Sequence, residues 1–193
     1  MMDTNVSTLS QDLAILEAMA AEMADYLNSD VLYWNMVKGD MPKLTLGGYL
    51  MREHRLTHLT SLLSEEEQER LTAVLQTYKE AVTEHIVRFE THAHEELGVR
   101  ARQWGNYMDD LRRDGVRVAV NYANAVENRA MIEALIDRLE TPPYQLNRAS
   151  YGNLAMMDQG LKPHWHAGEF VWAAEWQPAY PKDKYWWLYG NIG

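Results

Sequence analysis

A run of apolar residues at helical spacing, from Ser64 to about Arg113, most constrains how this chain can fold. The apolar residues recur every three or four positions, as on one face of an α-helix, and no proline interrupts them. Ser64 and Glu67 have the spacing of a capping box, which predicts where the helix begins. At about 1.5 Å per residue the helix would be roughly 75 Å long, so we expect a bend, with Gly98 as its candidate position.

Similar apolar stripes predict three further helices. They cover residues 8–27, with Thr8 as a weak cap, residues 45–63, with Thr45 as the cap, and residues 116–140. The helix over residues 45–63 and the long helix that begins at Ser64 have almost no linker between them, so they are expected to pack antiparallel. The sequence therefore predicts an all-α fold, an antiparallel bundle of about four helices, of which one is very long (about 64–113).

Residues 141–193 differ in character from the helical part. Five of the seven tryptophans lie between positions 165 and 187. Aromatic residues alternate with others from Phe170 to Trp176 and again from Tyr185 to Tyr189, which predicts a hairpin or two extended arms. We expect a single domain over 1–193, with the helical bundle at 8–140 and an aromatic-rich, partly extended C-terminal segment at 141–193 packed on it.

Charge and composition exclude several classes of partner. The net charge of −10 argues against nucleic acid and against an anionic membrane surface, because both are bound through lysine and arginine. No apolar run reaches the length of a membrane span, and Met1–Asp12 lacks the pattern of a signal peptide. The absence of cysteine rules out disulfides and thiolate metal sites. A cytoplasmic protein that binds neither membrane nor nucleic acid is expected.

Two arginines stand in apolar stripes, Arg100 in the long helix and Arg129 in the helix after it. If the helix over residues 116–140 folds back on the long helix about Asp114, Arg129 lies opposite the Arg100 region and Tyr122 lies near the level of Trp104. Two buried arginines must be neutralised, because an unpaired buried charge costs several kcal/mol. Either a bound anion neutralises them, which would make these four residues a ligand site, or protein carboxylates do; the candidates are Glu96, Glu127 and Glu133.

Histidines provide the alternative hypothesis of a metal site. His54 and His58 are four residues apart and share one side of a helix, and His85 could supply a third ligand. The His-Glu-x-x-His signature is absent because residue 55 is arginine, and no pair of Glu-x-x-His motifs indicates a di-iron centre. His92 and the histidines of the C-terminal segment are further candidates. Ordinary hydrogen bonds are the commoner role of such scattered histidines.

No nucleophile elbow, phosphate-binding glycine loop or Ser/His/Asp arrangement occurs in the sequence. The sequence therefore favours a non-catalytic helical binding or interaction protein without a cofactor. Its partner would be another protein or a small anionic ligand in the arginine-lined pocket, and homo-oligomers such as a homodimer are possible. The alternatives are a metal-dependent helical-bundle enzyme that uses clustered histidines, and a purely structural or assembly protein.

Overall fold

A computed structural model describes residues 7–193, apart from the side chain of Val116, and most of these residues are helical. The α-helices are α1 (Thr8–Asn28), α2 (Leu46–His58), α3 (Glu65–Glu84), α4 (Ile86–Asp114), α5 (Tyr122–Leu139) and α6 (Leu154–Leu161). Two short strands, β1 (Trp165–Ala167) and β2 (Gly190–Ile192), pair antiparallel, with Trp165 opposite Ile192. The all-α prediction is confirmed. None of the helices within residues 7–193 is long and apolar enough to cross a lipid bilayer.

Backbone contacts divide the chain into two compact units, with the boundary between His92 and Ala93. The arrangement of four helices in one bundle and the single domain over 1–193 stay predictions. The first six residues of the Met1–Asp12 segment, on which the expectation about a signal peptide rested, lie outside the described residues.

In the first unit, α1 packs against both α2 and α3. Asp12 of α1 forms a buried ion pair with Arg55 near the end of α2, at 2.5 Å. Met19 lies beside Gly48 at the start of α2. Residues later in α1 therefore meet residues earlier in α2, so these two helices run antiparallel.

The pairing of α2 with α3 follows from the short connection between them. The rings of Tyr49 and Tyr78 stack with their centroids 4.1 Å apart. These two residues lie equally far along the chain from the turn at Leu63 and Ser64, which is the register of two antiparallel helices folded back on each other. This ring contact fits the antiparallel packing expected from the sequence, which otherwise stays a prediction.

The capping box predicted at Ser64 is confirmed. The Ser64 hydroxyl accepts a hydrogen bond from the Glu67 backbone N–H at 3.2 Å, and the Glu67 carboxylate accepts one from the Ser64 N–H at 2.9 Å. Thr45 likewise caps α2, because its hydroxyl accepts from the Gly48 N–H. The cap of α1 is Ser7 rather than Thr8, so that prediction was wrong by one residue.

The long helix predicted over about 64–113 is interrupted at His85, which separates α3 from α4. The Nδ1 atom of His85 lies 2.7 Å from the carbonyl oxygen of Ala81, the acceptor that the His85 N–H would use in a continuous helix. That N–H bonds instead to Val82, one residue closer. The side chain thus competes with the backbone for one carbonyl, which is a known cause of helix breaks. Helix α4 is continuous through Gly98, so the interruption lies at His85 instead, and a bend at Gly98 stays a prediction.

The second and fourth predicted helices are shorter than expected. The α-helix α2 ends at His58, and residues 60–62 form a 3-10 turn before α3. Residues 115–121 are also a 3-10 helix, so α5 begins at Tyr122 rather than near Val116. Gly115 adopts φ +55°, a left-handed conformation that glycine reaches without steric cost, and this ends α4.

In the second unit, α4 and α5 run antiparallel. Arg100 of α4 bonds to Asn128 of α5 at 3.0 Å, whereas Tyr107 further along α4 bonds to the Val118 carbonyl before α5 begins. The direction of the two segments is therefore opposite, as a turn at Gly115 requires.

Helix α6 lies along α4 in the same direction. A Cβ atom placed on Gly98 would lie 3.0 Å from the Ser150 carbonyl oxygen, and one on Gly105 would lie 3.6 Å from Met157. The sequence separation is the same in the two pairs, so the two segments run parallel. At Gly98 the missing side chain permits a close approach of backbone to helix, which is the physical role of this glycine.

The C-terminal segment is folded differently from the predicted hairpin. Much of the alternating aromatic sequence forms 3-10 turns, at Ala174–Ala179 and Trp186–Leu188, and the paired strands β1 and β2 lie outside both aromatic runs. The rings pack on one another edge to face; that of Tyr180 lies 5.0 Å from those of Trp172 and Tyr185. Backbone pairing also joins the two aromatic runs, because the Val171 N–H donates to the Leu188 carbonyl at 2.8 Å, and the Phe170 and Tyr189 rings lie 5.2 Å apart.

Candidate functional site

Arg129 lies on the buried face of α5, and protein carboxylates bind its guanidinium group from two sides. Its Nε and Nη2 atoms donate to the two carboxylate oxygens of Asp158 at 3.1 and 3.0 Å, and its Nη1 donates to Glu133 at 2.8 Å. The face of the Trp187 ring lies 4.1 Å from the guanidinium carbon. The bidentate pair and the aromatic contact together satisfy a charge that would otherwise be costly to bury.

The pKa of Arg129 reflects this environment. Burial acts to lower the pKa, but the hydrogen bonds and charges of Asp158 and Glu133 outweigh it, so the pKa lies above its ordinary value. Arg129 is therefore a permanent cation, and its role is that of a fixed charge rather than of a proton donor.

Trp104 and Tyr122, the two aromatic candidates, belong to the same cluster. The Trp104 indole N–H donates to Asp158 at 3.0 Å, and the Tyr122 hydroxyl donates to the Trp187 carbonyl at 2.6 Å. Burial raises the pKa of Tyr122 well above its usual range. The structure thus brings Arg129, Trp104 and Tyr122 together around Asp158 and Trp187.

Arg100 is held by a different set of groups. Its Nε donates to Glu96 at 2.6 Å, and its Nη1 donates to the Asn128 amide oxygen at 3.0 Å. The Asn128 amide nitrogen in turn donates to the Arg100 carbonyl at 3.0 Å. Glu96 is fully buried and pairs with Arg100 within α4, whereas the two hydrogen bonds between Arg100 and Asn128 link α4 to α5.

Protein carboxylates therefore neutralise both arginines, which is the second of the two alternatives left open by the sequence. Of the carboxylates named beforehand, Glu96 and Glu133 are partners, whereas Glu127 bonds to neither arginine. Asp158 was not named beforehand, because it lies in the C-terminal segment, for which the sequence predicted no helix. One signal was available, since Asp158 is the only acidic residue between Glu140 and Glu169.

The four candidate residues are each no more than 6 % exposed, so a ligand could reach them only by displacing protein groups. An anion bound by Arg100 and Arg129 stays a prediction. All the contacts described above for the guanidinium groups of Arg100 and Arg129 are with protein atoms. A ligand would therefore be bound directly by other residues.

The candidate metal ligands are not assembled into one site. The rings of His54 and His58 lie with centroids 4.0 Å apart, and the Nδ1 of His58 bonds to the His54 carbonyl. His85 uses its Nδ1 at the helix break, and His92 uses its Nε2 on the Ser29 carbonyl. Over residues 7–193, no three His, Cys, Asp or Glu side chains are placed to hold a metal ion.

A groove of about 770 Å³ lies in the second unit, between α4 and α6. Its α4 wall and its α6 wall are built from residues at helical spacing, which are Val99, Arg102, Gln103, Gly105, Asn106, Met108, Asp109 and Arg112 from α4, and Asn153, Met156, Met157 and Gly160 from α6 or its cap. Asp158 and the four candidate residues do not line it. The groove therefore lies on the faces of α4 and α6 that point away from the buried ion pairs.

The groove is apolar along its length and charged at its edges. Three methionines contribute to its surface, and Met156 is 68 % exposed. Asp109 and Arg112 form an ion pair with each other at the α4 edge. Sequence reasoning missed this groove, although Met156 and Met157 beside Gly160 were visible as an apolar, small-residue stretch.

A smaller groove of about 260 Å³ lies between α4 and the segment around α5, and Trp104 and Tyr107 form part of its wall. Burial raises the pKa of Tyr107 to about 12, so its hydroxyl stays protonated near neutral pH. Amide side chains supply the rest of the polar lining, including Asn121 and Asn124.

Comparison with known proteins finds no match to this chain among family models, curated proteins or solved structures.

Proposed function

We propose that this protein is a non-catalytic binding protein and that its ligand lies in the groove between α4 and α6. The single observation that carries the proposal is the groove itself, whose volume of about 770 Å³ falls in the range of small-molecule sites, roughly 300 to 1,000 Å³. Such sites combine a mainly apolar lining with a few polar groups. The methionines and the polar edge of this groove fit that description.

The character of the lining supports binding rather than packing. Methionine has a flexible, polarisable side chain that adapts to the shape of a ligand. Met156, at 68 % exposure, is a large apolar side chain held in solvent on an eight-residue helix. A bound ligand would remove this side chain from water, which is favourable by about 25 cal/mol per Å² of apolar surface.

In this proposal, the buried arginines position the site without contacting the ligand. Arg129 and Trp104 both bind Asp158, and Asp158 lies on α6. The ion pair therefore fixes α6 against α4 and α5, and α6 supplies one wall of the groove. Arg129 and Trp104, which were selected from the sequence, therefore hold α6 in place without lining the groove.

A neutral apolar dye tests the proposal. We expect wild-type protein to bind Nile red with saturable fluorescence and Met156→Lys to bind about tenfold more weakly, because a cation replaces part of the apolar wall. Val120→Lys is the matched control, since Val120 is 85 % exposed and does not line the groove. Equal loss of binding in both variants, or no saturable binding by wild type, would contradict the proposal.

A structural or assembly role is the second candidate function, and the internal pairing of Arg100 and Arg129 favours it. In that case the groove would be covered by another protein chain, for example a second copy. Sedimentation of the purified protein over a range of concentrations tests this. A dimer whose formation suppresses Nile red binding would support assembly over ligand binding.

A further inference from the structure

We infer that the groove between α4 and α6 takes an amphipathic carboxylate, a small molecule with an apolar body and one acidic end, and that Arg102 binds its carboxylate. The inference rests on the proposed function and names the class of ligand. It follows from the pairing of the arginines in the second unit, the position of Arg102, and the balance of charge along the groove.

Arg102 differs from Arg100 and Arg112 in having no partner among residues 7–193. Most of the arginines of the second unit bind carboxylates, including Arg112 in the groove, which pairs with Asp109. Across the part of the chain that the structure describes, Arg102 makes neither a hydrogen bond nor an ion pair. In a chain with 28 acidic and 18 basic residues, an uncommitted arginine at the edge of an apolar groove is a free anion-binding group.

The position of Arg102 fixes where the acidic end would lie. Its Nη1 atom lies 3.7 Å from the point where a Cβ on Gly98 would be, so the guanidinium group extends toward that end of the groove. From the register of α4 and α6, Arg102 is level with Leu154, the first residue of α6. A helix N-terminus carries a partial positive charge, so the start of α6 would attract the same carboxylate as Arg102.

The rest of the groove has no uncompensated charge to attract a second ionic group. Asp109 and Arg112 neutralise each other, and the surface between them and Arg102 consists of methionine, glycine and amide side chains. Arg102 and Arg112 are ten residues apart, or about 15 Å along the helix. One free cation at one end and apolar surface beyond it complement a molecule with a single acidic end.

Three probes with twelve-carbon chains test the inference by displacing Nile red from wild-type protein, each below its solubility limit and its micellar concentration. We expect dodecanoate to displace the dye at about tenfold lower concentration than dodecanol, because only dodecanoate carries a negative charge and can form a bidentate ion pair with Arg102. Dodecyltrimethylammonium should be the weakest competitor. Arg102→Gln should remove the preference for dodecanoate over dodecanol when the two probes are compared within the same variant.

Arg117→Gln is the matched control, because Arg117 is exposed, lies outside the groove and is also without an ion pair over residues 7–193. If dodecanoate and dodecanol compete equally, or if both arginine variants lose the preference alike, the inference is wrong although the groove still binds apolar ligands. If wild type does not bind Nile red or any of the three probes, the proposed function fails as well. Displacement of the dye by an acidic amphipathic peptide but not by dodecanoate would assign the groove to a partner protein.

Discussion

Asp158 shows how much of this fold depends on one side chain. Its carboxylate accepts hydrogen bonds from Trp104 on α4 and from two nitrogen atoms of Arg129 on α5, so one residue of α6 joins three helices. The removal of one partner from a buried ion pair leaves the other charge without compensation, and this costs more than the pair itself contributes.

We expect Asp158→Asn to lower the free energy of unfolding by about 3 kcal/mol, because Arg129 would keep only Glu133 as a charged partner. Urea denaturation followed by circular dichroism measures this change. Asp183→Asn is the control, since Asp183 is exposed and binds no group within residues 7–193. Similar stabilities for the two variants would show that the ion pair contributes no more than a surface charge.

Glu67 provides a prediction about pH. A hydrogen bond from the Ser10 hydroxyl and one from the Ser64 backbone lower the pKa of Glu67 below its ordinary value of 4.5. A carboxyl group whose pKa is lower in the folded state stabilises the fold above the unfolded pKa and loses this effect as the pH falls. The difference in stability between wild type and Glu67→Gln should therefore be full near neutral pH and decrease below about pH 4.5.

Chemical denaturation of the two proteins at several pH values measures that difference. Glu69→Gln is the control, because Glu69 is exposed on the same helix. A difference that stays constant as the pH falls, or one that Glu69→Gln reproduces, would rule out the hydrogen bonds of Glu67 as the source of the pH dependence.

Among the elements, the separation of α3 from α4 shows what periodicity leaves undetermined. The apolar stripe continues in phase through His85, so the spacing of hydrophobic residues is the same for one helix and for two helices in line. The break depends on a local competition in which the His85 ring, and not its backbone N–H, bonds to the Ala81 carbonyl. Hydrophobic patterning carries no information about that competition.

We expect His85→Ala to join α3 and α4, because without the ring the backbone N–H of residue 85 can bond to the Ala81 carbonyl. The protein should become more stable by about 0.5 kcal/mol, from the higher helix propensity of alanine, and amide hydrogen exchange around residue 85 should slow. The ring of His58 makes the equivalent contact with the His54 carbonyl, but at the end of α2. His58→Ala should therefore leave exchange near residue 85 unchanged, and a similar effect of both substitutions would contradict the explanation.

The sequence was sufficient for the helical fold class and for the starting points of α2 and α3, because apolar spacing and caps are local properties. It was insufficient for the separation of α3 from α4, for α6 and for the site. Arg100 and Arg129 were expected to be buried, and Glu96 and Glu133 were two of the three candidate partners because they are neighbours on a helix. Asp158 and the α4–α6 groove depend on how a segment far along the chain packs, which no local pattern specifies.

For the whole molecule, the open question is whether the chain unfolds in one step. Six of the seven tryptophans lie in residues 93–193, so tryptophan fluorescence reports mainly on the second unit, whereas far-ultraviolet circular dichroism reports on helices in both. The single domain expected from the sequence predicts coincident urea transitions by the two methods. Helix α4 begins before the boundary at His92 and continues past it, which is the physical reason to expect coincidence. Separate midpoints would show that the units are independent domains.

If the groove binds a ligand as we propose, the attachment of α6 by Asp158 couples ligand binding to local folding. Because α6 forms one wall of the groove, the ligand would bind only the state in which α6 is docked, and its binding free energy would add to the stability of that state. Occupancy of the groove should therefore slow amide exchange in α6, while Asp158→Asn should weaken binding although Asp158 does not line the groove. The buried ion pair between Asp158 and Arg129 therefore sets the fraction of molecules in which α6 is docked and the groove is complete.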